Sequence, residues 1–193
     1  MSAIWVVSMV LQWLVIALLS SIVVVLLRHH GRSLAGDGVL AAPGPRPGMA
    51  APGREVRHAA EPGRAVRIGG SRDIPQLIVF YSPSCTPCKS TQEAVEEFAV
   101  TGPPAGIRFV VVLADARTSA LRYLDTGVLT DLDVVLLEDF PAEMFPGSTP
   151  AAVAVRHGQV TEVGRPHSSA DLAAMAGRLA GTSAHTQTGG SLR

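Results

Sequence analysis

Residues 4–27 carry no formal charge and are dominated by Val, Leu and Ile, with Ser8, Gln12, Ser20 and Ser21 as the polar interruptions. Wound as a helix, this run spans roughly 36 Å, enough to cross a hydrocarbon core of about 30 Å with some tilt. Trp5 is placed to anchor in an interface. A cleaved signal peptide would want a basic n-region and a shorter apolar core, and neither is present. The pattern predicts an uncleaved single-span anchor over residues 1–30. From residue 31 to 52 the apolar rhythm stops and Gly, Pro and Ala take over, which predicts a linker.

Beyond the linker the pattern is that of a folded domain over residues 53–181. Two short alternating pieces, 54–58 and 65–68, flank Glu61-Pro62-Gly63 and predict a hairpin on the edge of the domain. Residues 74–81 and 107–114 are apolar runs of strand length, suited to buried strands. Between them, 89–99 places Ala94, Val95 and Phe98 at helical spacing with glutamates on the other face. A second helix is expected over 116–126, ended by Gly127, and a short strand over 133–137. Residues 140–147 read as an irregular apolar loop. Residues 151–156 and 159–163, joined at His157-Gly158, predict a hairpin, and 171–179 a closing helix capped by Ser168 or Ser169. This order predicts an α/β fold, a mixed central sheet with helices on both faces. Residues 182–193 are a polar tail without periodicity.

Charge adds an exclusion: 16 basic and 16 acidic residues cancel, which leaves no electrostatic case for a nucleic-acid partner. Many of the 19 Gly and 14 Pro fall between Gly31 and Gly70, and that clustering marks a linker and not a disordered protein. The 2 cysteines share one motif, Ser84-Cys85-Thr86-Pro87-Cys88-Lys89. No structural disulfide remains for the body, which must rest on its hydrophobic core.

That motif carries the chemistry. Cysteines at this spacing can close a disulfide, Cys85–Cys88, across one helical turn. A strand running into such a turn sets the first sulfur at a helix N-terminus, where unpaired amides and the dipole favour a thiolate. The expected consequence is a Cys85 pKa drawn down from about 8.5 into the range of roughly 3.5–7.5. Zinc is the rival use of paired cysteines, but it needs about four ligands and no second Cys or His pair of suitable spacing exists. The reading is therefore redox chemistry without a metal or other cofactor.

The strand ending at Tyr81, the Cys-x-x-Cys turn, Ser148-Thr149-Pro150 before a strand, and the terminal hairpin with Gly158 followed by a helix together resemble the thioredoxin-like family. The match covers roughly residues 48–181. It implies a cis peptide bond at Thr149-Pro150 opposite the cysteines, with Thr86, Pro87, Thr149 and Pro150 shaping the site. A cis X–Pro bond costs only about 0.5–1 kcal/mol. The stretch 48–52 and the piece 61–68 resemble the N-terminal hairpin of the membrane-tethered, extracytoplasmic branch. Within it, Leu11-Gln12-Trp13 and Pro83-Ser84-Cys85 are similar to thioredoxin-like accessory proteins of methylamine utilization, which implies disulfide formation during maturation of a methylamine dehydrogenase small subunit. Two positions depart from the family pattern. Val79 stands where a buried Asp usually relays a proton to the second cysteine, and Ser84 stands where Trp is usual.

The expected activity is that of a membrane-anchored thiol–disulfide oxidoreductase. Its partners would be protein thiols and disulfides, a redox partner, and the membrane through residues 4–27. Cys85 would attack and Cys88 resolve. Arg28 and Arg32 after the span favour a cytoplasmic body by the positive-inside rule. The disulfide chemistry and the resemblance favour the periplasmic side of the inner (cytoplasmic) membrane; the expectation is the latter. The alternative is a Cu(I)-binding, metallochaperone-like module using the same cysteines, with Met144, before the cis-Pro loop, as the candidate further soft ligand. A non-catalytic docking domain would not need both cysteines. Glu138 and Asp139 are read as solvated loop charges and Lys89 as an exposed helix residue.

Overall fold

In a computed structural model, residues 5, 9, 11–21, 23, 44–70, 74–102 and 105–181 are described. The chain divides into two compact units, Met1–Ala42 and Pro43–Arg193. In the first, residues 11–21 are helical with exposed side chains, as are Trp5, Met9 and Val23. The rest of the span read over 4–27, and linker residues 31–43, lie outside the described residues, as does the tail 182–193. No helix among the described residues is long and apolar enough to cross a membrane.

The second unit runs β1 (Arg54–Arg57), β2 (Ala65–Ile68), β3 (Gln76–Tyr81), α1 (Lys89–Thr101), β4 (Arg108–Leu113), α2 (Arg117–Leu124), β5 (Asp133–Leu136), β6 (Ala151–Arg156), β7 (Gln159–Gly164) and α3 (Ser169–Gly181). Five strands form one sheet in the order β5-β4-β3-β6-β7. β3, β4 and β5 are parallel, while β6 is antiparallel to both β3 and β7. β3 is buried along its whole length, as a run apolar on both faces requires. The β6–β7 turn has positive φ at both His157 and Gly158, the type I′ geometry that suits the twist of a two-residue hairpin. Ser168 caps α3 through its hydroxyl on the Asp171 amide, and the Asp171 carboxylate accepts from the Ser168 amide in return.

Alternation along the strands divides the core in two. On one face Leu77, Val79 and Tyr81 meet Val95 and Phe98 of α1, Ala120 of α2, and Leu172 and Met175 of α3. On the other, Ile78, Phe80, Val110 and Val112 meet Val56, Val66, Ile68, Phe140 and Met144. The expectation of helices on both faces is corrected: all three pack on the first. The connections β3-α1-β4 and β4-α2-β5 step in the same direction across the sheet, and two successive right-handed crossovers leave their helices on one side.

Two further corrections concern the covering of the second face. The β1–β2 hairpin packs over it and does not merely border the domain. Gln76 accepts from the Gly69 amide at 2.8 Å and donates to the Arg67 carbonyl at 3.0 Å, tying the hairpin to β3. Gly69 has φ +66°, and a Cβ there would lie 2.6 Å from the Pro52 carbonyl oxygen, so glycine is required. The linker is also shorter than 31–52. Gly48 donates to Val160, Val160 to Met49, and Ala51 to Gly158, so residues 48–51 border β7 and belong to the domain. Main-chain pairing leaves no side-chain pattern, which is why composition extended the linker through this stretch.

Candidate functional site

β3 delivers the chain to the site. After Tyr81, Ser82 is buried and its carbonyl accepts from the Cys85 amide at 3.1 Å; the Cys85 carbonyl in turn accepts from the Cys88 amide at 3.0 Å. Residues Thr86–Cys88 form a 3₁₀ turn that runs directly into α1. Pro87 fits there because the first turn of a helix leaves its amides unpaired anyway. Cys85 is half-buried with an extended backbone, whereas Cys88 is fully buried. Thr86, Pro87 and Lys89 are exposed. Both cysteines are free thiols.

The cis-proline loop reaches the same end of the sheet. Phe80 pairs with Ala151, so the residues just before β6 lie beside the strand end that leads to the cysteines. The Thr149–Pro150 peptide bond is cis, the geometry that the resemblance implies. Thr149 is half-buried and Pro150 buried, and Arg165 donates to the Ser148 hydroxyl at 3.1 Å.

A residue that the sequence reading did not single out completes this end. β4 runs parallel to β3 with Leu113 opposite Tyr81, so the two strands finish together. Two residues on, the Asp115 carboxylate accepts from the Ser82 hydroxyl at 2.9 Å, the Ser84 hydroxyl at 2.7 Å and the Ser84 amide at 3.2 Å. Ser84, in the position where the family usually has Trp, thus serves as a double donor. The available signal was topological, since functional groups in α/β sheets collect beyond the carboxyl ends of parallel strands. An acidic residue directly after the second strand met that description.

The electrostatics overturn the expectation of a lowered Cys85 pKa. Burial pushes the Cys85 thiol up, the Cys88 thiol beside it adds to the rise, a backbone hydrogen bond from Cys88 opposes it, and the Asp115 charge raises it further. The physical reason is that burial, the Cys88 thiol and the Asp115 carboxylate together outweigh the one amide, Cys88 N–H, that reaches the sulfur from the helix start.

Other candidates separate from the site. Glu138 and Asp139 are both held by Arg117, Asp139 at 2.9 Å. Met144 is fully buried in the core of the opposite face, whereas Cys88 belongs to the helix-side core, so the two do not form one soft-metal site. Among the described residues no group of three His, Cys, Asp or Glu could hold a metal. Val79 is buried among apolar neighbours. The helix-side core does hold a polar chain. Tyr81 donates to Tyr123 at 3.2 Å, and Tyr123 donates to Glu96 at 2.7 Å, while Gln92 also donates to Glu96 at 2.9 Å. Burial pushes Tyr123 up to about 12 and drives Tyr81 higher still.

No protein-family model matches this chain, and no curated protein sequence does either. Solved structures do. A peroxiredoxin-like protein from Aquifex aeolicus aligns with TM-score 0.54 at 16% identity, over 72% of this chain and 90% of its own. A thiol:disulfide interchange protein of the thioredoxin family from Chlorobium tepidum gives 0.54 at 16%, over 69% and 97%. A secreted Mycobacterium tuberculosis disulfide oxidoreductase homologous to Escherichia coli DsbE gives 0.50 at 13%, over 65% and 95%. At such identities the likeness shows architecture: the Pro43–Arg193 unit has the thioredoxin-like α/β fold, with a mixed central sheet and its cysteine pair at the end of the central strand.

Proposed function

We propose that this chain is a thiol–disulfide oxidoreductase that acts on protein cysteines through the Cys85–Cys88 couple. The observation that carries the reading is the asymmetry of the pair: a half-buried Cys85 and a fully buried Cys88 in one turn, beside a cis Thr149–Pro150 bond. In the reducing direction, Cys85 as a thiolate attacks a substrate disulfide, and one substrate sulfur leaves as a thiolate. Cys88 then loses its proton and attacks the Cys85 sulfur, breaking the mixed disulfide. The second substrate thiol is released, the enzyme disulfide forms, and the two protons end on the substrate sulfurs. The oxidising direction is the reverse.

The finer reading is that residues 4–27 anchor the protein in the inner membrane with residues 31–193 on the periplasmic side. It is supported by the uncharged run and by disulfide chemistry that suits an oxidising compartment. The M. tuberculosis neighbour, described as secreted, is consistent with that side. Clients would include the small subunit of a methylamine dehydrogenase-like enzyme, a reading supported by Leu11-Gln12-Trp13 and Pro83-Ser84-Cys85.

Replacing the resolving thiol tests the activity. The full chain carrying Cys88→Ser should accumulate mixed disulfides with client proteins, which vanish on reduction and on further replacement of Cys85. Trapping by Cys85→Ser and not by Cys88→Ser would reverse the roles. If neither variant traps a client and the reduced pair holds Cu(I) tightly, the metallochaperone alternative takes its place.

A further inference from the structure

Arg165 stands at the cysteine end of the sheet with its charge unmatched. Gly164 closes β7 opposite Ala152, so Arg165 continues the strand level with Ala151, and Ala151 faces Phe80 of β3. Two strand spacings therefore separate Arg165 from β3, roughly 10 Å, the length of about three extended residues. Its guanidinium donates to the Ser148 hydroxyl at 3.1 Å, one residue before Thr149. The loop it holds lies beside the end of β3, from which Ser82 leads to Cys85.

The arginines elsewhere on the domain are used differently. Arg54, Arg64, Arg67, Arg108, Arg117 and Arg178 each hold a carboxylate. Arg165 is exposed, and among the described residues its side chain bonds only a neutral hydroxyl. Two carboxylates border the same cleft of about 220 Å³ between β7 and α3, and both are committed. Glu162 grips Arg178 with both oxygens, at 2.7 and 3.1 Å. Asp171 accepts from the His167 and Ser168 amides. The planar guanidinium fork suits a carboxylate brought from outside.

A client whose sulfur reaches Cys85 lays its flanking residues across this end of the sheet. On the β7 side they meet Arg165. On the β4 side they meet Asp115, which is negative and bonded to neutral serine donors. The two sides thus favour opposite charges, and only the β7 side attracts an acidic residue.

We infer that Arg165 is a specificity-determining residue that receives an Asp or Glu carboxylate about three residues from the client cysteine. Preferred clients are then acidic segments that run from Cys85 toward β7. The inference rests on the oxidoreductase reading above.

The test mixes the reduced full chain, in detergent, with short peptides whose single cysteine is held as the neutral mercaptoethanol disulfide. Each peptide carries one Asp or one Lys, three residues before or three after the cysteine. At one of these positions the Asp peptide should exchange about 5-fold faster than its Lys counterpart, through KM and not kcat. The ratio should shrink in about 0.5 M salt. Arg165→Gln should bring it near 1, Arg165→Glu should invert it, and Arg165→Lys should keep most of it. A peptide with serine at both positions should exchange equally with every variant. A wild-type ratio near 1 at both positions, or a preference for Asp that survives Arg165→Glu, overturns the inference. So does equal slowing of all peptides by the variants, because Arg165 would then only hold the Ser148 loop. If no peptide exchanges with the wild type, the oxidoreductase reading falls. Binding of labelled peptides with Cys replaced by Ser, read by fluorescence anisotropy in wild type and Arg165→Glu, then still decides the charge preference.

Discussion

Both faces of the central sheet are apolar, but they are covered by different means. The first takes three amphipathic helices and shares its core with Cys88. The second takes a short hairpin, the stretch near Ala51 and the loop bearing Phe140, Met144 and Phe145, whose rings gather round Phe80 with centroids 5.1 and 5.7 Å away. Only the helix side carries α1, which begins at the cysteine turn, and α3, which packs against it through the same core. Thr91 on α1 also donates to the Pro166 carbonyl at 2.6 Å, fixing α1 to the approach of α3. The second face therefore supports the fold, while the first supports both the fold and the burial of one sulfur.

A matched pair of truncations sharpens this contrast. Leu172 and Ile68 are both fully buried, one on each face. Each change to alanine should cost about 2–5 kcal/mol, lost transfer free energy plus a cavity, measured by urea unfolding of the full chain in detergent. Their effects on the site should differ. Leu172→Ala should speed alkylation of Cys88 in the folded protein, and Ile68→Ala should leave it slow. Equal acceleration by both would mean that the two faces do not act separately.

A smaller effect probes the polar chain on the helix side. The protein has 2 tyrosines, and both belong to this chain, Tyr81–Tyr123–Glu96. Their folded pKa values lie above the ordinary value near 10 because burial disfavours the phenolate. The neutral phenols thus contribute stability that is fully present below about pH 10 and is lost as the pH rises through the folded values. Phenolate absorbance near 295 nm should be almost absent at pH 10.5 in the folded chain and should appear together with unfolding. A gradual titration centred near 10 would show that the chain is open to water.

What could be read beforehand follows from which interactions leave a side-chain pattern. β3 and β4 are buried on both faces and so read as continuous apolar runs. The His157-Gly158 turn and the Ser168 cap have residue signatures of their own, and the cysteine pair is legible by spacing alone. The side on which the helices lie depends on the order of strands in the sheet, which periodicity does not encode. Residues 48–51 join the domain by main-chain hydrogen bonds, invisible in composition. Asp115 was hidden for a related reason: its partners are 31 and 33 positions away and meet it only because β3 and β4 end side by side. The expected low Cys85 pKa failed because the spacing shows a helix start at the cysteines but neither the burial of the first sulfur nor the Asp115 carboxylate that the fold brings to it.

One sulfur, Cys85, is presented at the surface and the other, Cys88, is withheld. Brief alkylation of the reduced, folded full chain with iodoacetamide, followed by peptide mass mapping, tests it directly. Label should appear on Cys85 and reach Cys88 only after denaturation, and the singly labelled protein should have lost disulfide exchange. Label arriving first on Cys88, or full exchange activity with Cys85 blocked, would mean that Cys85 is not the presented sulfur.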